Sequence, residues 1–205
     1  WTQKTHYTLA LYTEGSTDYS YTTYPAKFAN NENHTTLSNI TYDFTYGQIS
    51  GWKAFGATRT GFTLTGWKTA NGEDRTDESI FHDGDTASTF KLFAQWKPND
   101  YNVTLDLNVP STASTTVTNT NDVPNVIQVT YANVYSNLAN VTDPILPGYD
   151  FGGWYKETSC TNEVTETTLY NPSNPQNHTL YAKWTAKTYN IQLYANGNEA
   201  HFGNA

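Results

Sequence analysis

The sequence predicts a mainly β protein built from two tandem β-sheet modules, and three observations support this prediction. Thr and Asn are the commonest residues, at 35 and 22 of 205, and Met is absent, so strand and turn formers displace helix formers. One pattern of glycine and aromatic residues occurs twice at matching spacing. Apolar and polar residues alternate beside that pattern, as they do in half-buried strands. We therefore expect β-sheet modules with at most one short helix each.

The apolar core of such modules must depend on aromatic side chains. Leu, Ile, Val and Phe make up 36 of the 205 residues, and the formal net charge is −8, a balance that by itself favours disorder. The 16 Tyr, 9 Phe and 6 Trp reverse that interpretation. Each of these rings can bury roughly 150–250 Å². A few aromatic residues per module can therefore hold a sheet that aliphatic residues alone could not.

The repeat opens with a Gly-aromatic string and closes with a string that ends in tryptophan. Its opening residues recur 87 positions later in the same spacing. The closing tryptophans follow the opening ones by 29 and 30 residues. The predicted structural anchors of the two copies are Gly61, Phe62, Gly66, Trp67 and Trp96, and Gly148, Tyr149, Gly153, Trp154 and Trp184. A glycine just before a strand tryptophan relieves crowding or permits a bulge, and aromatic residues in this phase are typical of packing.

A strand with period-two alternation follows each closing tryptophan. It is clearest at 101–107, where Tyr and aliphatic residues face one way and polar residues the other. A strand of the same phase occurs at 7–11, and a third contains Tyr189, Ile191 and Leu193. A further block pairs Phe44 and Tyr46 with Val129 and Tyr131. These blocks predict a first module at 1–95, a second at 96–183, and at 184–205 the opening strand of a third module or a strand that joins another subunit.

These strings resemble the Listeria/Bacteroides repeat, the B-repeat type of internalin B. The residues that carry the resemblance run from Gly61 to Trp67 and from Gly148 to Trp154, each followed by Leu-aromatic-Ala-x-Trp. The resemblance implies small β-grasp-like modules of secreted or surface-anchored proteins, arranged in tandem and without catalytic residues. The chain departs from the family in its long leader at 13–42 and its long insert at 111–125, where we expect extra strands or hairpins.

The sequence predicts no catalytic, metal or cofactor site. The five His show no metal-ligand spacing, and the nucleophile-elbow, phosphate-loop and dinucleotide motifs are absent. The acidic segment at 73–85 allows a hypothesis of calcium binding at Asp83 and Asp85, with a solvated loop as the simpler interpretation. A chain with two Arg and a pI near 4.9 is a poor partner for nucleic acid. No apolar run approaches the length of a membrane span.

Several residues offer sites for attached groups. Acceptor motifs for N-linked glycans occur at Asn33, Asn39, Asn102, Asn140 and Asn177, although chance alone predicts about as many. The segment 111–120, rich in Ser and Thr, suits either a hairpin tip or O-linked sugars. The only cysteine, Cys160, excludes an internal disulfide, and it is either an ordinary small residue or a crosslink to another chain.

These features favour a non-catalytic, extracellular structural or spacer protein of a cell-surface stalk or filament, either secreted or anchored at the surface. Its partners would be adjacent repeats of the same polypeptide or other copies of itself. The apolar strand at 189–193 lacks downstream partners, so head-to-tail polymerisation by strand complementation is one expectation. The alternative hypothesis is an adhesin, a module that binds glycans or host surfaces through aromatic platforms and that could itself be a glycoprotein.

Overall fold

The computed structural model contains two five-stranded mixed sheets, which confirms the mainly β fold class. It describes residues 6–12, 26–27, 34–41, 45–48, 56–79 and 89–193. The chain divides into two compact units. Unit 1 comprises Trp1–Tyr101, Thr130–Asn133 and Tyr170–Gln176, and unit 2 comprises Asn102–Val129, Val134–Leu169 and Asn177–Ala205. The predicted modules at 1–95, 96–183 and 184–205 are defined by the repeat pattern in the sequence, whereas the two units are defined by contacts in the structure. The module bounds therefore stay a prediction.

The first sheet takes its strands from the first repeat. The first seven strands are β1 (His6–Tyr12), β2 (Ala26–Lys27), β3 (His34–Thr41), β4 (Thr58–Arg59), β5 (Phe62–Thr69), β6 (Asp74–Arg75) and β7 (Thr89–Pro98). The sheet order is β3-β1-β7-β5-β6, while β2 and β4 form a separate antiparallel pair. β1 is parallel to β7 and antiparallel to β3, and β5 is antiparallel to both β7 and β6. A short 3-10 helix, η1 (Tyr46–Gln48), lies between β3 and β4 in the chain.

The second sheet repeats this order when its strands are read from the opposite edge. The remaining strands are β8 (Asp100–Asp106), β9 (Val126–Thr130), β10 (Asn133–Val134), β11 (Tyr149–Tyr155), β12 (Glu163–Val164), β13 (Leu169–Tyr170) and β14 (His178–Ala186). The sheet order is β12-β11-β14-β8-β9, and β10 pairs with β13. β8 is parallel to β14, as β1 is to β7, and β11 is antiparallel to both β14 and β12. The one helical segment described in this repeat is the 3-10 helix η2 (Ser136–Asn140).

The parallel pair of first and last strands forms the centre of each sheet. In β8, Val103 and Leu105 are buried while the residues between and beside them are exposed, which confirms the alternation expected from the sequence. Leu105 lies opposite Leu180 of β14, and both side chains are buried. In the first sheet, Leu11 lies opposite Leu92 in the same way. Central strands that bury aliphatic residues on one face account for the apolar core despite the low aliphatic content.

A one-residue bulge brings the repeat tryptophan into the core. In the β5–β7 ladder, Leu64 pairs with Trp96 and Gly66 pairs with Gln95, so Thr65 is the extra residue. The β11–β14 ladder shifts at the same place, between Phe151 and Trp154. Residues an odd number apart face opposite sides of a regular strand, and a bulge between them removes that difference. The Phe151 and Trp154 rings accordingly meet at 5.5 Å between centroids. The glycine before each tryptophan was expected to relieve crowding or to permit a bulge, and the two ladders show a bulge.

The structure corrects the alignment of one repeated block. The backbone N–H of Tyr46 donates to the Ser79 carbonyl at 3.0 Å, and that of Tyr135 donates to the Thr168 carbonyl at 3.1 Å. Ser79 and Thr168 occupy the same kind of turn, because the hydroxyl of each accepts the backbone N–H three residues earlier. Tyr46 is therefore equivalent to Tyr135 and not to Tyr131. The correct alignment matches Ile-Thr-Tyr at 40–42 with Val-Thr-Tyr at 129–131.

The insert at 111–125 forms a loop that is held by side-chain hydrogen bonds, instead of the strands or hairpins expected there. None of its residues lies in a strand, while Val117 and Val123 are buried. The side-chain amide of Asn119 donates to the Asp143 carbonyl at 2.9 Å and accepts the Ile145 N–H at 2.6 Å. Ser, Thr and Asn satisfy backbone groups through their side chains, so a polar segment of this composition can be ordered without a ladder.

The burial of the second repeat tryptophan predicts a large loss of stability on truncation. We expect Trp154→Ala to lower the free energy of unfolding of unit 2 by about 3–5 kcal/mol, because the indole is buried and its removal leaves a cavity. The control Ile145→Ala removes a side chain that is 56% exposed, and we expect a change within about 0.5 kcal/mol. Urea unfolding followed by far-ultraviolet circular dichroism measures both values. Equal small losses would contradict the packing role.

Candidate functional site

The repeated tryptophans lie inside the two units. Trp67 is 1% exposed, and Trp96 and Trp154 are also buried. Trp184 is half-buried, and its indole N–H donates to the Leu107 carbonyl at 2.7 Å while its ring lies 5.7 Å from that of Phe151. Buried rings present no face to a ligand. Trp67, Trp96 and Trp154 are thus positioned for packing, and a site that repetition could serve must be sought elsewhere.

The Gly61 turn is covered by aromatic residues. We call the glycine and these residues together the Gly61 cluster: Gly61, Phe62, Tyr101, Tyr131 and Tyr170. Gly61 has a φ of +76°, and a Cβ atom placed on it would overlap the ring of Tyr131. The Tyr131 ring meets Phe62 edge to face at 5.5 Å and Tyr170 edge to face at 6.3 Å, and Tyr170 lies 5.5 Å from Tyr101. Edge-to-face rings at these distances stabilise a packed cluster beyond the area they bury.

Backbone hydrogen bonds hold the Gly61 cluster together through the linker residue Asn99. The Asn99 N–H donates to the Gly61 carbonyl at 2.9 Å, and the Asn99 carbonyl accepts the N–H of Tyr131 at 2.9 Å. Near the same turn, Thr130 donates its hydroxyl to the Asp100 carboxylate at 2.6 Å. The linker between β7 and β8 thereby bonds both the glycine turn and the segment that carries the covering tyrosine.

The buried side of the Gly61 cluster contains one cation and two hydrogen-bonded hydroxyls. The guanidinium of Arg59 lies 3.9 Å from the centroid of the Phe62 ring, and Arg59 is buried. Tyr131 donates its hydroxyl to the Pro172 carbonyl at 3.3 Å. Tyr170 donates its hydroxyl to the Gln176 carbonyl at 2.7 Å and accepts the Gln176 N–H at 3.1 Å. Burial raises the pKa of the Tyr170 hydroxyl above its ordinary value, an effect that the Gln176 N–H partly offsets.

The equivalent turn in unit 2, at Gly148, is open. Gly148 has a φ of +86°, and its carbonyl accepts the N–H of Lys187 at 2.8 Å, as the Gly61 carbonyl accepts that of Asn99. Gly148 is exposed, and no atom lies within 4 Å of a Cβ atom placed on it. Tyr149 is half-exposed. The predicted inter-subunit strand that follows is exposed too, at Tyr189, Ile191 and Leu193, and it forms no described ladder.

The glycosylation motifs fall on different kinds of surface. Asn102, Asn140 and Asn177 are exposed, but the Asn177 side-chain carbonyl accepts the Asn102 N–H at 2.9 Å and so also has a structural role. The backbone of Asn39 lies in β3, and Asn33 lies outside the described residues. Occupancy of these motifs stays a prediction.

The remaining chemical hypotheses find no assembled site in the described residues. Asp83 and Asp85 lie outside the described residues, and within them no three His, Cys, Asp or Glu side chains cluster to hold a metal ion. Cys160 is half-buried, with its sulfur 3.8 Å from the Ala182 carbonyl, beside a surface groove of about 440 Å³ that Trp184 also lines. No described helix has both the length and the apolar character needed to cross a membrane.

Comparison with known proteins identifies the second repeat. The sequence model of the Listeria-Bacteroides repeat domain matches residues 101–183, and this match confirms the resemblance for the second repeat. The chain is also 29% identical over 161 residues to a protein of Evansella cellulosilytica whose name describes it as a Gly-rich membrane protein. That alignment covers 72% of this chain and 17% of the relative, so the chain spans a small part of the relative's length. No solved structure matches this chain.

The cover of the glycine turn is the feature that sequence reasoning missed. Tyr131 and Tyr170 belong to the second repeat in sequence, yet they lie in unit 1 against Gly61 and Tyr101. The signal was present in the sequence as the Val-Thr-Tyr string at 129–131, which the misaligned block concealed. The anchors Gly61 and Phe62 are therefore contacted by the repeat that follows them, in addition to their own sheet.

The two glycine turns give a matched pair of substitutions. We expect Gly148→Ala to destabilise by about 1–2 kcal/mol, because the backbone there is left-handed while the space above it is open. Gly61→Ala should cost about 1–3 kcal/mol more, since its methyl group must displace the Tyr131 ring. Chemical denaturation of the two variants measures the difference. That difference should vanish when both are made in a Tyr131→Ala background, and its persistence there would refute the contact.

The burial of Tyr170 predicts alkaline sensitivity of unit 1. A raised pKa favours the neutral phenol in the folded state, so the stability contributed by Tyr170 is present below the unfolded pKa of about 10 and is lost as pH rises through the folded value. Tyr170→Phe should be less stable at pH 7, because it loses the bonds to Gln176. Its stability should fall less steeply than that of the wild type above pH 10. The control is Tyr189→Phe, which alters an exposed ring and should follow the wild-type pH profile.

Proposed function

We propose that this chain is part of an extracellular, non-catalytic repeat protein that spaces or builds a cell-surface structure. The observation that carries the proposal is the burial of Trp67, Trp96 and Trp154 in two sheets of the same strand order. When the repeated residues of a protein pack inside its sheets, the repetition indicates the addition of structural modules of one kind. It does not indicate a catalytic site. A protein that gains length by adding modules is suited to a stalk or spacer.

The comparisons support a surface location. Members of the repeat family are typically extracellular or surface proteins of structural role, and the relative from Evansella is named as a membrane protein. That relative is several times longer than the matched segment. We propose that this chain functions as one portion of a tandem array outside the cell.

Two modes of assembly are compatible with this function. In the first, further repeats on the same polypeptide follow the strand at 189–193. In the second, that strand completes the sheet of another copy and head-to-tail contacts produce a filament. Apolar side chains that alternate along an exposed segment support either mode. The mass of the native polypeptide separates them: an array gives a chain far larger than 23.0 kDa, while strand exchange gives subunits of that mass in high-order assemblies.

The competing adhesin hypothesis requires ring faces in contact with solvent. Trp67 and Trp154 offer none, so glycan binding would need other residues. A glycan array tests this hypothesis directly. Binding that is lost in a variant whose circular dichroism is unchanged would favour an adhesin over a spacer.

Labelling of intact cells tests the proposed location. An antibody raised against the chain should decorate unpermeabilised cells of the source organism in immunogold electron microscopy, and protease treatment of those cells should remove the label. An antibody against a cytoplasmic protein serves as the control, which should label only after permeabilisation. If this chain is also labelled only after permeabilisation, the proposal is wrong.

A further inference from the structure

The Gly148 turn and the Gly61 turn have the same backbone design. Each glycine has a left-handed φ, and its carbonyl accepts the N–H of the residue three positions after the closing tryptophan of its own repeat, Asn99 in one case and Lys187 in the other. The two hydrogen bonds measure 2.9 and 2.8 Å. Each turn therefore offers the same surface, which we call a platform: a glycine, which has no side chain, beside an aromatic residue, Phe62 or Tyr149.

The two platforms differ in what covers them. At Gly61 the Tyr131 ring occupies the space where a Cβ atom would lie, and Tyr131 itself is 3% exposed. At Gly148 that space is empty. Tyr101 packs on Tyr170 in the covered case, whereas Tyr189, its equivalent after the second repeat, is 73% exposed. One platform is thus buried and the other is an apolar surface in water.

Three features hold the covering Tyr131 in unit 1, namely a backbone carbonyl, a glycine and a neighbouring aromatic residue. The open turn at Gly148 has the equivalent of each. In unit 1 the covering tyrosine is anchored by its backbone N–H to the Asn99 carbonyl, which corresponds to the carbonyl of Lys187. The absence of a side chain at the glycine permits ring-to-backbone contact, which any larger residue would prevent. The half-exposed Tyr149 follows Gly148 as Phe62, the edge-to-face partner of Tyr131, follows Gly61.

We propose that Gly148, Tyr149 and Tyr189 form a docking surface, the Gly148 face, for a following repeat of the same polypeptide. That repeat lays the tyrosine of its Val-Thr-Tyr string on Gly148 and a second tyrosine on Tyr189, as Tyr131 and Tyr170 do on Gly61 and Tyr101. The proposal rests on the proposed function, because it needs an array with a further repeat. It adds the mechanism by which each repeat covers the end of the one before it.

A chain with one added repeat tests this docking. Residues 106–205 are joined after Leu193, which is equivalent to Leu105, so that the full chain gains a copy of its second repeat while Lys187 and Tyr189 keep their sequence. Nitration by tetranitromethane followed by mass spectrometry reports the exposure of each tyrosine. We expect Tyr189 to react readily in the 205-residue chain and several-fold more slowly at its inner position in the extended chain. The second copy of Tyr189, at the new end, should stay reactive and is an internal control.

Substitutions identify the contact responsible for the protection. Tyr131→Ala made only in the added repeat leaves both original units unchanged and should restore the reactivity of the inner Tyr189. Gly148→Ala in the original second repeat should do the same, because its methyl group takes the place of the incoming ring. The matched control is Gly72→Ala in the first repeat, whose glycine has a φ of +85° and equally open space, and which should leave the protection unchanged.

Two results would overturn the proposal. Equal reactivity of inner and terminal Tyr189 in the extended chain would show that no repeat docks on the Gly148 face. Protection of Tyr189 in the 205-residue chain that grows with protein concentration would assign the face to a second copy instead of a following repeat. Both results are independent of cell-surface labelling, so a failure of docking and a failure of the proposed location are distinguishable.

Discussion

The structure depends on the burial of one tryptophan behind a one-residue bulge in each repeat. With so few aliphatic residues, each sheet needs a large apolar side chain near its centre, and Trp67 and Trp154 supply it. Without the shift after Leu64 or Phe151, strand alternation would direct the aromatic residues on the two sides of the bulge to opposite faces. The glycine before each tryptophan therefore contributes to the packing of the core, because it lies at the bulge that turns the tryptophan inward.

A second constraint arises from the order of strands. The first and last strands of a repeat pair in parallel at the centre of its sheet, and the last strand of the first repeat ends at Pro98, just before the first strand of the next begins at Asp100. The one residue between them, Asn99, bonds both the glycine turn and the covering tyrosine. A connection this short ties the end of one repeat to the start of the next.

The sequence predicted the class of fold and the alternating strands, because these depend on local alternation and on the spacing of glycine and tryptophan. Burial of Trp67, Trp96 and Trp154 is consistent with the same local pattern. The sequence did not predict that Tyr131 would cover Gly61, because that contact joins residues 70 positions apart and the true alignment was obscured by aromatic residues at similar spacing. The loop at 111–125 was mistaken for a source of strands, since Thr-rich segments suit both strands and side-chain-capped turns.

Trp67, Trp96 and Trp154 are internal and stabilise the two sheets. Hydrogen exchange of their indole N–H groups, measured by NMR on the native chain, reports this burial. We expect exchange slowed to the rate at which each unit unfolds, because solvent reaches these rings only when the sheet opens. Exchange at the rate of an exposed indole would show that these rings are not part of the core.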